Sequence, residues 1–107
     1  DWSSDVCSSD LARDALELAP SNPAIKDTLG WIYYKQGRFE KAYPYLAEAS
    51  AGLPQHPVVR YHHAVALSKI GRRDEALSEL KFALSLPGGF PEAERAARMV
   101  DANKIDD

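Results

Sequence analysis

This chain of 107 residues predicts an all-α fold: a right-handed superhelical solenoid of antiparallel helix pairs, closed by a C-terminal capping helix. Three observations predict it. The stretch from Asn22 to His56 reads as one helix-turn-helix unit and recurs at an offset of 34 residues, with eight identical pairs. These are Pro20/Pro54, Pro23/Pro57, Lys35/Lys69, Gly37/Gly71, Arg38/Arg72, Ala42/Ala76, Leu46/Leu80 and Ala49/Ala83, where chance would give about two. Apolar residues recur at spacings of three and four, the period of a helix, rather than two. A repeat of this length signals supersecondary units that bury their cores only by stacking.

The first eleven residues stand apart. Asp1 to Leu11, DWSSDVCSSDL, has no helical period and resembles the in-frame translation of a sequencing adapter, so it is set aside as a non-native leader. Cys7, the one cysteine, falls in that leader, so cysteine usage indicates no redox compartment. Of the 16 acidic residues, Asp1, Asp5 and Asp10 also lie there, and the rest balance the 13 Lys and Arg. A neutral balance argues against nucleic acid or an anionic membrane as the main partner, because both require a basic excess. The chain is expected to be the C-terminal, metagenomic fragment of a longer bacterial protein, starting near Ala12.

The remaining residues, 45 % apolar over the whole chain, suit one small domain spanning residues 12–105. No apolar run approaches a membrane span, and no direct membrane insertion is expected. Ala12 to Ala19 reads as a short helix, the end of a truncated repeat over 12–20, stopped by the Pro20-Ser21-Asn22-Pro23 turn. The first complete repeat covers 22–54. Asn22 N-caps its first helix, Pro23 to Gln36, and Gly37 provides the left-handed residue at which the chain reverses into a second helix from Phe39 to about Ala51. The second repeat, 56–87, places helices at Pro57 to Ile70 and Arg73 to Leu86 around Gly71. A capping helix, within 90–105, runs from about Pro91 to Lys104. The junction before it is one residue shorter, so in the shifted register Ala93, Ala96, Ala97 and Val100 face the core while Glu94, Arg98 and Asp101 face outward.

Small residues at matched positions allow the helices to approach. Gly30, Ala64, Ala42 and Ala76 lack bulk where two backbones must come within about 8–10 Å, and Ala49 and Ala83 serve the following unit. Leu29, Tyr33, Leu46, Leu67, Leu77 and Leu80 supply the apolar surface, each worth roughly 1.5–3 kcal/mol when buried.

The set Leu29-Gly30, Tyr33, Gly37, Ala42, Leu46, Ala49 and Pro54 resembles the tetratricopeptide repeat. The sequence departs from that family at Lys26 and Arg60, which stand where it often has Trp, at His63 in place of Leu, and at Pro44, which is expected to kink its helix. The phrases DTLGWIYYKQG, VVRYHHAVALSKIGRRDEALSELKFAL and FPEAERAARMV further resemble the C-terminal repeats of the repeat lipoprotein of the PEP-CTERM/exosortase system, tied to exopolysaccharide production. That resemblance implies a periplasmic or envelope-associated scaffold; without it a cytoplasmic one is equally compatible.

The tetratricopeptide resemblance implies that the first helix of each repeat lines a concave groove. In this sequence that face is Ala24, Asp27, Trp31, Tyr34 and Lys35, then Val58, Tyr61, Val65, Ser68 and Lys69, residues that fall on one side of each helix. Trp31, Tyr34 and Tyr61 are types favoured at binding hot spots, and Lys35 and Lys69 suit an acidic side chain or a terminal carboxylate. The expected partner is a protein or peptide segment. The family's carboxylate clamp is not expected, because Asp27 and Trp31 stand where that subtype has Lys and Asn.

Candidates for other chemistry are sparse. His56, His62 and His63 lack a completing ligand set for a metal; His62 is read as a surface residue, and His63 as partly buried and hydrogen-bonded through one ring nitrogen. No nucleophile elbow, paired catalytic carboxylates or phosphate-binding loop is present, and neither enzymatic activity nor a cofactor is expected. Two other readings follow from the same residues: an accessory arm of a glycosyltransferase or polysaccharide-synthesis enzyme, and self-association through the exposed N-terminal end at Ala12.

Overall fold

The computed structural model describes residues 22–102. The leader, the helix expected over Ala12 to Ala19 and the tail beyond Ala102 lie outside the described residues. Five helices follow in order: α1 Pro23–Lys35, α2 Phe39–Gly52, α3 Pro57–Lys69, α4 Arg73–Ser85 and α5 Ala93–Asp101. The described residues contain no strand. Helices α1 with α2, and α3 with α4, form the two repeat hairpins, α2 bridges to α3, and α5 packs on α4.

Local chemistry sets the boundaries. Asn22 Oδ1 accepts the backbone N–H groups of Ala24 at 2.9 Å and Ile25 at 3.3 Å, satisfying two donors that the first turn of α1 leaves free. Both hairpin turns close in the same way. Gly37 and Gly71 have φ of 82° and 91°, the left-handed region that costs glycine least. The N–H of Gly37 bonds to the Tyr34 carbonyl and that of Arg38 to Tyr33, while Gly71 bonds to Ser68 and Arg72 to Leu67. This paired pattern is the Schellman arrangement, which uses carbonyls that the helix end would otherwise orphan. Arg38 completes the first by lying 6.0 Å over the Tyr33 ring.

Helix α2 spans Pro44. Pro44 is exposed, so the Glu40 carbonyl that loses its partner is open to water. Helix α5 begins at Ala93 rather than Pro91 and ends at Asp101, because the N–H of Ala96 pairs with the Glu92 carbonyl and makes Glu92 the cap. Ala96 and Met99 are its buried residues, Ala93, Ala97 and Val100 are half-buried, and Glu94, Arg98 and Asp101 are exposed. Met99 was not among the expected core residues.

The small-residue pattern has the role the repeat implies. Ala42, Ala49, Ala64, Ala76 and Ala83 are fully buried, as are Leu29, Leu46, Leu80 and Val65. A Cβ on Gly30 would stand 2.7 Å from Leu46 Cγ and 2.8 Å from its Cδ2, closer than atoms can sit. Gly30→Ala should therefore cost stability although alanine is the better helix former by about 1 kcal/mol, since overpacking costs about 1–3 kcal/mol. Urea unfolding should show a net loss of up to about 2 kcal/mol. An increase in stability would show instead that Leu46 can shift aside.

The two positions where the family often has Trp carry a polar staple. Lys26 Nζ sits 2.8 Å from Glu48 Oε1, joining α1 to α2. Arg60, 34 residues on, bonds both carboxylate oxygens of Glu79 at 3.0 Å and donates its Nε–H to the Pro54 carbonyl at 3.0 Å. Its guanidinium also lies 4.1 Å over the ring of Phe82, the residue matched to Glu48 by the repeat. One cation site thus meets a carboxylate in the first repeat and an aromatic face in the second. Glu48 stays largely in water, so the first contact is worth little; in the second repeat Phe82 is also exposed, and it is the Arg60–Glu79 pair that is sheltered.

Candidate peptide-binding face

Helices α1 and α3, the first of each repeat, stand side by side, and the residues expected to line a groove lie along them. Asp27, Trp31 and Lys35 follow at four-residue spacing and so share one strip of α1. Trp31 is half-buried and held flat between two rings, Tyr34 at 4.6 Å and 6° and His62 at 3.8 Å and 17°. Lys35 Nζ lies 5.2 Å from the Trp31 ring centre, close enough for the negative face of the indole to attract it.

His62 is not the surface residue that the sequence suggested. It is 8 % exposed, and its Nδ1 is 2.9 Å from Asp27 Oδ1. The reason is tertiary: α3 turns this histidine toward α1, where a carboxylate and an indole cover it. His63 is partly buried as expected, but neither ring nitrogen has a hydrogen-bond partner among the described residues. Its Nδ1 stands 3.6 Å from Glu79 Oε1, beyond hydrogen-bond length.

The other expected groove residues divide. Tyr34, Tyr61 and Val65 are core side chains, exposed by 6 %, 3 % and 0 %. Tyr34 meets Phe39 edge-on at 5.2 Å, and its buried hydroxyl has no hydrogen-bond partner among the described residues. Phe90 covers Tyr61 with ring centres 5.8 Å apart. Burial pushes the Tyr61 hydroxyl pKa up and Glu92 adds to this, while the charge of Arg95 opposes it. Phe90 was missed in the sequence, although an aromatic after the Gly88-Gly89 turn is a signal for a covering side chain. Surface therefore remains at Asp27, Trp31 and Lys35 on α1 and at Ser68 and Lys69 on α3, with Ala24 exposed and Val58 half-buried beside them. Lys69 Nζ reaches back over the Phe39 ring at 5.4 Å, tying the end of α3 to the start of α2.

The described residues contain no group of three His, Cys, Asp or Glu that could hold a metal ion, and no helix long and apolar enough to cross a membrane. What the face offers is a fixed aromatic, a carboxylate paired with His62 and two lysines at the helix ends.

Residues 11–83 match the family model described as anaphase-promoting complex, cyclosome, subunit 3. The chain belongs to this tetratricopeptide-repeat family. It is 40 % identical over 52 residues to a tetratricopeptide-repeat-containing protein of Pseudomonas aeruginosa, a stretch that is 49 % of this chain and 9 % of that protein. Among solved structures it is similar to MamA of MSR-1, 27 % identical with a TM-score of 0.77, over 94 % of this chain and 56 % of the other. It also shares its fold with the Yersinia enterocolitica type III secretion translocator chaperone SycD. That likeness is 21 % identical with a TM-score of 0.78, over 89 % of this chain and 68 % of the other. The chain thus spans under a tenth of the curated relative and about half of MamA. Both solved neighbours are helical solenoids of the same repeat type.

Proposed function

We propose that the face shared by α1 and α3 docks a peptide segment of a protein partner, making this unit a non-catalytic interaction module of a longer bacterial protein. The observation that carries the reading is Trp31. Stacking between Tyr34 and His62 holds its indole in one orientation while leaving part of it open. An aromatic already immobilised gives up little conformational entropy on binding, which makes it a natural anchor. Family membership and the likeness to a secretion-translocator chaperone support the same reading. The resemblance to the exosortase-system lipoprotein favours an envelope-facing setting. Further 34-residue repeats behind a lipobox upstream would support that setting, and a Rossmann-like catalytic region there would support the enzyme-arm reading instead.

The test uses Trp31 twice. In a Trp2→Phe background Trp31 is the sole tryptophan, and its emission should shift when the natural partner is titrated. Trp31→Ala should weaken that binding by about tenfold or more, the loss expected of a hot-spot aromatic. Unchanged emission together with unchanged affinity would refute the reading.

A further inference from the structure

A cleft of about 500 Å³ opens at the edge of the solenoid where the hairpin turns lie, bounded by Gly37, Arg38, Phe39, Glu40 and Lys41 on one side and Lys69 and Ile70 on the other. Its size lies within the range of small-ligand sites, about 300–1,000 Å³. Phe39 and Ile70 are its larger apolar members, both half-buried, and three cations surround one carboxylate, Glu40.

These cations differ from those in the body of the repeats. Lys26 and Arg60 are each bonded to a carboxylate. Arg38, Lys41 and Lys69 are exposed and have no carboxylate partner among the described residues. Each lies over an aromatic ring instead: Arg38 and Lys41 over Tyr33 at 6.0 and 4.9 Å, and Lys69 over Phe39 at 5.4 Å. A ring quadrupole holds a cation in place without neutralising it. The edge therefore keeps a local positive charge on a chain whose formal net charge is −3.

We propose that this cleft receives an acidic peptide segment of a protein partner, with its carboxylates against Lys41 and Lys69 and an apolar side chain against Phe39 and Ile70. The proposal extends the docking face described above, because Lys69 borders both. Charge complementarity selects a peptide over a polyanion. A nucleic-acid backbone draws its affinity from many phosphate contacts in a row, and here three cations are interrupted by Glu40. A peptide can place a carboxylate on either side of Glu40 and an apolar group between.

The full chain is titrated by fluorescence anisotropy with a short fluorescein-labelled peptide in which glutamate pairs alternate with leucine. A peptide with glutamine in place of glutamate, single-stranded DNA and phosphatidylserine vesicles are titrated in parallel. The glutamate peptide should bind about tenfold or more tightly than the glutamine peptide, and added salt should weaken it. The K41E/K69E double variant should lose at least about tenfold in affinity, whereas K81E, at an exposed site elsewhere, should not. Both altered lysines are exposed, so circular dichroism should report wild-type helix content for the double variant.

The proposal is overturned if the glutamate peptide does not bind at low salt, if the glutamine peptide binds equally, if K41E/K69E binds like the wild type, or if DNA or vesicles compete more tightly than the peptide. With the natural partner the two sites separate. Loss on Trp31→Ala without loss on K41E/K69E keeps the inner face and removes the cleft, and the converse removes Trp31 as the anchor.

Discussion

Leu46→Ala should lower the unfolding free energy by roughly 2–5 kcal/mol, the range for truncating a fully buried leucine. Leu46 is 0 % exposed and sits in the main core cluster with Leu29, Ala42 and Leu80. A small domain has only about 5–15 kcal/mol of net stability, so this variant should unfold at a much lower urea concentration. The second expectation concerns its neighbour. Because Leu46 is what a Cβ at Gly30 would strike, Gly30→Ala should change sign in the Leu46→Ala background. There the added methyl enters the vacated space and the helix gains about 0.5–1 kcal/mol from losing a glycine. The second repeat differs here: Ala64 and Leu80 hold the matched positions together, both fully buried, so that hairpin accommodates a Cβ for which the Gly30–Leu46 contact leaves no room. Additivity of the two substitutions in a urea double-mutant cycle would refute the assigned contact.

Arg60→Ala should cost roughly 2–3 kcal/mol. Removing one member of a fully buried ion pair costs about 3–5 kcal/mol, and here the side chains of Arg60 and Glu79 keep 19 % and 20 % of their exposure, so water screens part of the loss. Three hydrogen bonds and the contact with Phe82 would go together. The pH dependence identifies the cause. Burial alone would raise the Glu79 pKa, but the neighbouring His63 ring and the Arg60 bonds outweigh it and hold the carboxyl below the usual glutamate range. A carboxyl whose pKa is lower folded than unfolded contributes stability that is complete above its unfolded value, near pH 4.3. That stability is lost as pH falls through the lower folded value. Wild-type stability should therefore drop on acidification below about pH 4.3, and the drop should be shallower in Arg60→Ala. Parallel acid limbs in urea melts, or a cost under about 0.5 kcal/mol at neutral pH, would remove Arg60 as a staple.

Much of the architecture was legible because it rests on local rules. Asn22 before Pro23, the glycines at 37 and 71 and the alanines at 42, 49, 76 and 83 each have one inexpensive structural use, and each has it. The start of α5 was misread because Pro91 looks like a first-turn proline. The hydrogen bond of Ala96 to the Glu92 carbonyl is a choice between neighbouring caps that composition does not encode. The uses of Lys26 and Arg60 were also hidden, since their partners lie 22 and 19 residues away on the next helix.

The sequence by itself determined the repeat, the helix pairing and the positions where backbones must close, because the 34-residue offset and the small residues report contacts made in the same way by each unit. It also determined which residues share one side of each first helix. Only the tertiary structure decided which of them remain available. Tyr61 and Val65 are buried, Phe90 closes over Tyr61, and His62 moves from surface to core because Asp27 and Trp31 wait across the gap. Helical period fixes the direction of a side chain, but burial depends on what the neighbouring unit places against it.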